Sequence, residues 1–209
     1  PKDMTDEVLE VIARYENISN YIHLPVQSGH SDTLQRMNRG YSREWYVNRI
    51  DAIRRIVPDC AISTDIITGF CGETEEEHEA TLSLMKEVKF DFAYMYQYSE
   101  RPKTLAERRF EDDVPKEVKS KRLIEIIDLQ QEHSLEHHKA RIGKIDRVLV
   151  EGVSKRSDQE MAGRNDQNVR VIFPKGNFKK CDYVMVKITD CTAATLRGEV
   201  VEVLPPANN

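Results

Sequence analysis

The first half of the chain alternates between helical and strand-like hydrophobic patterns. In the helical segments apolar residues recur every three or four positions, and short runs of β-branched and aromatic residues separate these segments. The predicted order is helix, strand, helix, helix, strand, helix, strand, with the strands at residues 21–27, 60–67 and 92–98. Strands joined by helical crossovers run parallel. The pattern therefore predicts an α/β fold, either an open sheet or part of an (α/β) barrel that needs further strands to close.

The pattern changes after Gly143. A long helix is predicted over about residues 115–141, since Pro115 suits a first helical position and the glycine ends the segment. The four short β-type runs beyond it, separated by polar turns, predict a small antiparallel β-barrel. They are residues 147–153, 169–173, 183–189 and 196–203. We therefore predict two domains, residues 1–139 with the connecting helix and residues 140–205.

Composition narrows the classes of protein to which this chain can belong. Of its 209 residues, 39% are hydrophobic and 32% are charged. No apolar run is long enough for a transmembrane helix, so we expect a cytoplasmic protein that does not bind membranes. The four cysteines are scattered singly, which predicts neither a zinc site nor a disulfide framework. The chain begins at Pro1 rather than at methionine, which suggests a piece of a longer protein.

The net charge of −5 is unevenly distributed along the chain. Residues 1–139 contain 19 Lys and Arg against 27 Asp and Glu, whereas residues 140–209 contain 12 against 9. The first part therefore carries −8 and the second +3. A polyanion such as a nucleic acid would prefer the second part.

Polar residues follow the predicted strands, where parallel α/β folds bind their ligands. Asp65 lies in an otherwise strand-forming run, so its carboxylate needs a hydrogen-bonding partner. A ribose diol or an amino group would serve, and a structural aspartate paired with backbone or with arginine remains the alternative. Gly69 and Gly72 either let the backbone approach a ligand or only form the turn.

Four segments of the first domain occur in an order typical of one enzyme family. They are His23-Leu-Pro-Val-Gln-Ser-Gly29, Met37-Asn-Arg-Gly40, Asp65-Ile-Ile-Thr-Gly-Phe-Cys-Gly-Glu-Thr74 and Tyr98-Ser-Glu-Arg-Pro-Lys-Thr104. The chain resembles the methylthiotransferases, which are radical S-adenosylmethionine enzymes, over nearly its whole length. Residues 149–156, 163–168 and 196–198 resemble the TRAM domain that ends these proteins.

Within the family, the run from Gly163 to Phe173 is most similar to the members that methylthiolate C2 of N6-isopentenyladenosine at position 37 of tRNA. Two positions depart from the common pattern. Cys71 stands where proline is usual, and Lys103 stands where glycine is usual.

The resemblance implies a partial (βα)6 barrel, of which the three strands would be the fourth, fifth and sixth. It also implies S-adenosylmethionine as cofactor and two 4Fe-4S clusters in the full-length protein. The cluster ligands are a CxxxCxxC loop and three further cysteines, and this sequence contains neither set. The N-terminal domain and the first half of the barrel are expected to be missing. We therefore predict no catalytic residue in this fragment and no activity of the fragment alone.

The resemblance also implies residues for the cofactor pocket. Gln27 and Asp65 are expected to bind the ribose or the amino acid part of S-adenosylmethionine. Arg39 is expected to meet its carboxylate, because a guanidinium fork suits that group. A solvent-facing arginine at a helix end is the alternative for Arg39. Ile67 and Gly69 would pack near the adenine.

The expected partners are the tRNA anticodon loop, where unpaired bases can be splayed out, and an electron donor for cluster reduction. Phosphate contacts from the second domain would supply affinity, with Phe173 and Phe178 nearby. A solvated basic surface is the alternative reading. The candidate RNA-binding residues are Lys155, Arg156, Arg164, Arg170, Lys175, Lys179, Lys180 and Arg197.

Two other functions remain open from the sequence. One is a sibling specificity, for threonylcarbamoyladenosine-37 or for a ribosomal protein. The other is a non-catalytic RNA-binding module whose α/β part is only a scaffold. The run His133-Ser-Leu-Glu-His137 also matches a zinc-peptidase pattern. Because both histidines extend an apolar helical stripe, we expect packing there and no metal site.

Overall fold

A three-stranded sheet lies at the centre of the first of two units. The computed structural model describes residues 1–205. Its first unit comprises Pro1–Ile18 and Ile22–His133, and its second comprises Ser19–Tyr21 and the residues from Ser134 on. The sequence analysis places the division after residue 139. The helix Lys116–Lys139 ends there and contains residues of both units. The helices are α1 (Asp6–Arg14), α2 (Ser31–Arg36), α3 (Arg43–Ile56), α4 (Glu75–Val88), α5 (Leu105–Arg109) and α6 (Lys116–Lys139).

The sheet has the order β1-β2-β3, with β1 at Tyr21–His23, β2 at Ala61–Thr68 and β3 at Phe92–Gln97. Strands β2 and β3 pair in parallel, with Thr68 opposite Gln97 at their carboxyl ends. The first strand is shorter than predicted, but the chain stays alongside β2 and forms a parallel bridge between Gln27 and Ile66. The carboxyl ends of all three segments therefore meet at one edge, as the sequence predicts.

The helices of this unit contribute a hydrophobic core on one face of the sheet. Tyr46, Phe90, Ile53 and Leu84 are fully buried there together with Ile66 of β2. Ser42 caps α3 by accepting a hydrogen bond from the Trp45 amide, and Thr74 opens α4 with a complete capping box. Helix α5 is not predicted from the sequence, because five residues are too few to show a helical period.

The opposite face of the sheet exposes aromatic side chains. Phe92, Tyr94 and Tyr96 alternate along β3 and are 45–53% exposed, whereas Ala93 between them is buried. The rings of Phe92 and Tyr94 meet edge to face at 4.9 Å. The alternation is therefore the two-residue period of a strand, and it places the large side chains on the face away from the core.

The second unit contains a closed barrel of five strands in the order β4-β5-β6-β8-β7. Strand β5 is missing from the sequence prediction, because it contains few β-forming residues. The sequence also predicts an antiparallel barrel, and one pairing, between β6 and β8, is instead parallel. A closed ring of five strands cannot alternate direction at every pairing, so at least one parallel pair is required. The strands are β4 (Ile145–Val153), β5 (Glu160–Asn165), β6 (Arg170–Pro174), β7 (Tyr183–Cys191) and β8 (Leu196–Val203).

The barrel interior is filled by alternating apolar side chains from its strands. Val148, Val171, Val184, Val186 and Ile188 are fully buried in this core. Such a closed barrel leaves no unpaired edge along its strands. No helix within residues 1–205 has the length and apolar character needed to cross a membrane.

Candidate functional site

A cavity of about 450 Å³ opens at the carboxyl ends of β2 and β3. Four of the five predicted cofactor-binding residues line it, namely Gln27, Arg39, Asp65 and Ile67. They come from three separate parts of the first unit, and the parallel register brings them together. The remaining lining residues belong to the end of β3 and the segment after it. They are Tyr96, Gln97, Tyr98, Ser99, Arg101, Thr104 and Ala106.

Gln27 is held in an unusual backbone conformation. Its φ of 76° lies in the left-handed region, which residues other than glycine rarely adopt. The Gln27 N–H donates to the Asp65 carbonyl at 2.9 Å, and the Ile67 N–H donates to the Gln27 carbonyl at 2.9 Å. These two bonds fix the peptide against β2, so the neighbouring structure compensates the strain. Gln27 therefore has a defined position beside Asp65 at the edge of the sheet.

Asp65 has one partner and one available oxygen. His23 Nε2 lies 3.4 Å from Asp65 Oδ1, and Ser63 Oγ lies 2.8 Å from the other ring nitrogen of His23. Asp65 Oδ2 has no hydrogen-bond partner within residues 1–205, and the side chain is 29% exposed. The carboxylate can thus accept a hydrogen bond from a ligand while His23 orients it. The sequence analysis did not assign His23 to the site, because a histidine in a strand gives no distinguishing signal.

Arg39 is exposed at the cavity, shortly after the end of α2. Its backbone N–H donates to the Leu34 carbonyl at 2.8 Å, which fixes the peptide. Its guanidinium makes no hydrogen bond or ion pair with any residue in the described part of the chain. An unpaired guanidinium at a cavity wall is suited to an anionic ligand group.

Gly69, the fifth predicted residue, lies in the turn after β2 and outside the cavity lining. Its φ of 69° is in the left-handed region, and a Cβ there would lie 2.3 Å from Lys119 Cγ. Its N–H donates to Glu73 Oε2 at 2.6 Å. The glycine is therefore required by close packing against α6.

Helix α6 anchors this turn through a buried ion pair. Arg122 Nη1 donates to Glu73 Oε2 at 2.9 Å and to the Glu73 carbonyl at 3.0 Å, and Arg122 Nη2 donates to Glu75 Oε2 at 3.0 Å. The Glu73 and Arg122 side chains are 1% and 6% exposed. Burial raises the pKa of Glu73, while the Gly69 N–H and Arg122 favour its charged form. The turn that follows β2 is thereby attached to α6.

A second contact from α6 reaches the end of β3. Lys119 Nζ donates to the Tyr98 carbonyl at 3.3 Å, lies 5.2 Å from the centre of the Tyr98 ring, and also pairs with Asp112. Burial and a hydrogen bond with the Cys71 thiol raise the pKa of Tyr98 to about 12. Cys71, which departs from the family pattern, is itself buried against this ring. Nothing in the sequence pattern distinguished Lys119 or Arg122 from surface cations of a helix.

The predicted basic residues of the second unit lie in two different settings. Arg164 pairs with Glu151 at 3.2 Å, and Arg197 pairs with Glu160, so these two strand residues already have partners. Phe173 is buried in the barrel core and is not available for stacking. Arg170 is half-buried on β6. Of the eight basic residues predicted to bind RNA, five are exposed and make no ion pair with any residue in 1–205, namely Lys155, Arg156, Lys175, Lys179 and Lys180.

These five cations occupy two adjacent loops, residues 154–159 and 175–182. The Lys175 N–H donates to the Gln159 carbonyl at 2.9 Å and joins the loops at one end of the barrel. We call these two segments the basic loops. The loops also contain Asp158 and Asp182, so five cations stand against two carboxylates, and none of the five side chains forms an ion pair within residues 1–205. Their positive charge is available to contact phosphates.

The donor set of the cavity fits a zwitterionic nucleoside but does not fit an iron–sulfur cluster. A carboxylate oxygen, a guanidinium and the apolar Ile67 complement an amino acid joined to a nucleoside. No cysteine lines the cavity, and among residues 1–205 no group of three or more His, Cys, Asp or Glu could hold a metal ion. Burial raises the pKa of Cys60 to about 12, which disfavours the thiolate that a cluster needs.

The ion pair between α6 and the turn leads to a stability prediction. We expect Arg122→Met to destabilise the first unit by roughly 3–5 kcal/mol, because it leaves the Glu73 carboxylate buried without its charge partner. The measurement is urea unfolding followed by the fluorescence of Trp45, the single tryptophan of the chain.

Lys121→Met is the matched control, since Lys121 is on the same helix, is 71% exposed and makes only a 3.6 Å surface pair with Glu125. This variant should lose less than about 0.5 kcal/mol. Equal losses for the two variants would contradict the anchoring role of Arg122.

Comparison with known proteins finds matches for both parts of the chain. The family model of the Radical SAM superfamily matches residues 1–85, and the model of the TRAM domain matches residues 139–201. Among solved structures, the chain is similar to coproporphyrinogen III oxidase (HemN) from Escherichia coli, described as a radical SAM enzyme. The TM-score is 0.52 at 15% identity, covering 88% of this chain and 44% of that one. This likeness supports the fold.

Several relatives found by sequence share a higher identity with this chain than that solved structure does. The tRNA-2-methylthio-N(6)-dimethylallyladenosine synthase of Amoebophilus asiaticus is 58% identical over 96% of this chain and 41% of its own length. The synthases of Porphyromonas gingivalis and Phocaeicola vulgatus are 55% and 54% identical, and the chain covers 44% of each. It thus spans less than half the length of the curated relatives that it matches. The resemblance to the methylthiotransferases is confirmed: a match to the Radical SAM superfamily and a match to the TRAM domain follow one another along the chain, and nearly all of the chain aligns with part of these tRNA methylthiotransferase sequences.

Proposed function

We propose that this chain is the C-terminal segment of an enzyme that adds a methylthio group to C2 of N6-isopentenyladenosine at position 37 of tRNA. The observation that carries the proposal is that Gln27, Arg39, Asp65 and Ile67 line a single cavity at the carboxyl ends of parallel strands. This is the location at which α/β folds bind nucleotides and related cofactors. The match to synthases of this specificity supports the choice of substrate.

In this proposal the cavity holds S-adenosylmethionine. Arg39 binds the methionine carboxylate, and the available oxygen of Asp65 accepts a hydrogen bond from the ribose or from the α-ammonium group. Gln27 offers a further polar contact, and Ile67 packs against the adenine. Gly69 allows the tight turn that follows β2. When bound, the cofactor supplies the hydrogen-abstracting group for the reaction at C2 of the adenine.

The remaining machinery belongs to the part of the enzyme outside this chain. The three strands serve as the fourth, fifth and sixth of a partial (βα)6 barrel. Two 4Fe-4S clusters bind to cysteines of the N-terminal part, and an electron donor reduces them. The enzyme acts on tRNA in the cytoplasm, and this segment alone is inactive because it lacks the cluster ligands.

The barrel of the second unit binds tRNA. Its basic loops carry cations without ion pairs, which suit phosphates of the anticodon stem and loop. Such contacts fix the orientation of the RNA but do not read its sequence. The choice of adenosine 37 therefore depends on the cavity of the first unit.

The first test uses an enzyme of the relatives' full length that contains this chain. With reduced clusters and S-adenosylmethionine, it should convert tRNA with isopentenyladenosine at position 37 to the methylthio product, measured by nucleoside mass spectrometry. RNA without the isopentenyl group should stay unmodified. Modification of a ribosomal protein or of threonylcarbamoyladenosine instead would establish a sibling specificity.

The same enzyme tests the cofactor site. Arg39→Gln and Asp65→Asn should each weaken S-adenosylmethionine binding by about tenfold or more, because each removes a charge-assisted hydrogen bond. Arg14→Gln, at an exposed arginine of α1, is the charge-matched control and should leave the dissociation constant unchanged. Equilibrium dialysis measures the constant. Absence of cofactor binding by the wild type would leave a non-catalytic RNA-binding module.

The basic loops lead to a prediction about salt dependence. Arg156→Gln and Lys180→Gln should each reduce the slope of log binding constant against log salt concentration by about one, because each removes a phosphate contact. Lys187→Gln removes the same charge from an exposed position on β7 outside the loops. It should change the slope much less. Fluorescence anisotropy with a labelled anticodon stem-loop measures the slope, and equal effects at all three positions would disprove the assignment.

A further inference from the structure

The cofactor cavity contains more positive charge than its proposed ligand requires. Two arginines, Arg39 and Arg101, line it together with one carboxylate, Asp65. Neither guanidinium makes a hydrogen bond or ion pair with any residue within 1–205. Two unpaired cations at one cavity repel each other and a bound sulfonium, unless anionic groups accompany them.

S-adenosylmethionine offers only one anionic group to this cavity, its carboxylate. If Arg39 binds that carboxylate, Arg101 remains without a partner and adds to the repulsion of the sulfonium. Arg101 is therefore available to a second anion when the site is fully assembled. In the proposed function, a phosphate of the RNA substrate is such an anion.

The backbone of Arg101 is fixed by the turn that follows β3. The Arg101 carbonyl accepts hydrogen bonds from Thr104 Oγ1 at 2.8 Å and from the Thr104 N–H at 3.3 Å. Lys119 fixes the preceding part of this segment at the Tyr98 carbonyl. The Arg101 guanidinium is thus attached to an ordered segment although it has no partner of its own.

An exposed aromatic ring lies in the same cavity. Tyr96 is 53% exposed and pairs in register with Ile67, the proposed adenine contact. An aromatic face of this kind stacks well with an unpaired nucleobase, and such stacking does not depend on the base edge. The cavity therefore combines a stacking surface with a cation that can bind phosphate.

From these two features we propose that Tyr96 and Arg101 form the substrate subsite, in which Tyr96 stacks against the unpaired purine to be modified and Arg101 binds a phosphate next to it in the RNA chain. This inference rests on the proposed function, since it assigns the second anion to an RNA substrate. It gives the cavity a cofactor side, formed by Gln27, Arg39 and Asp65, and a substrate side. Binding of the nucleotide then completes the charge balance around the cofactor.

The test separates cofactor binding from RNA binding in the full-length enzyme. Arg101→Gln should weaken binding of an anticodon stem-loop by about tenfold, and Tyr96→Ala by at least about fivefold, as expected for loss of a phosphate contact or of base stacking. Without RNA, Tyr96→Ala should retain the wild-type dissociation constant for S-adenosylmethionine, and Arg101→Gln should bind the cofactor at least as tightly as the wild type, because it removes a charge that repels the sulfonium. Arg108→Gln, at an exposed arginine of α5 that does not line the cavity, is the matched control and should behave as the wild type.

A chemical substitution in the RNA identifies the partner of Arg101. A neutral methylphosphonate placed next to the target adenosine should weaken wild-type binding by the same factor as Arg101→Gln, and it should cause no further loss in that variant. Additive losses would overturn the phosphate contact. Loss of S-adenosylmethionine binding in Arg101→Gln, with RNA binding intact, would assign this arginine to the cofactor and overturn the proposal.

Failure of this inference is distinguishable from failure of the proposed function. If the wild type methylthiolates RNA while Arg101→Gln and Tyr96→Ala bind RNA and react as well as it does, only the subsite is wrong. If the wild type neither binds nor modifies RNA and modifies a protein instead, both the proposed function and the subsite are wrong.

Discussion

The site depends on the pairing of the Gln27 peptide with β2. Its N–H and its carbonyl bond to the backbone of Asp65 and Ile67, at 2.9 Å in both cases. This register places three cavity residues side by side even though Gln27 and Asp65 are far apart in sequence. It also holds Gln27 at a positive φ, a strain that the surrounding backbone offsets. A shift of one residue would turn Asp65 to the other face of the sheet and remove it from the cavity.

Helix α6 makes the edge of the sheet a fixed structure. Arg122 holds the turn after β2 through Glu73, and Lys119 holds the end of β3 through Tyr98. Both cations are almost fully buried, so their role is positional although neither lines the cavity. The long helix therefore links the cofactor side to the proposed substrate side, because it contacts the segments that contribute Ile67 and Arg101.

The two units differ in net charge and in where their unpaired cations lie. The first unit is acidic overall, and its cavity concentrates two arginines that have no ion-pair partner in residues 1–205. The second unit is basic, and five of the cations predicted to bind RNA lie unpaired in the basic loops, whereas Arg164 and Arg197 on the strands are paired. In the proposed function, phosphate contacts at the loops would supply affinity. The proposed contacts at Tyr96 and Arg101 would supply the choice of nucleotide.

Much of this could be predicted from local patterns. The crossover rule predicted the parallel sheet, and the binding edge of such sheets led to Asp65. The resemblance added Gln27, Arg39 and Ile67, and all four line one cavity. The elements without a periodic signal, α5 and β5, were missed because short segments do not show a period. The prediction of an antiparallel barrel was wrong at one pairing, that of β6 with β8, since five strands cannot close with alternating directions.

The sequence by itself thus determined the type and order of the elements, because hydrophobic period and turn residues are local properties. It also carried the family motifs, which are runs of adjacent residues. Only the tertiary structure decided that His23 lies beside Asp65, that Gly69 packs on α6 and that Arg101 lines the same cavity as Asp65 without an ion pair in residues 1–205. Each of these facts depends on distances between residues remote in sequence. Such distances are determined by strand register and helix packing, which no local pattern encodes.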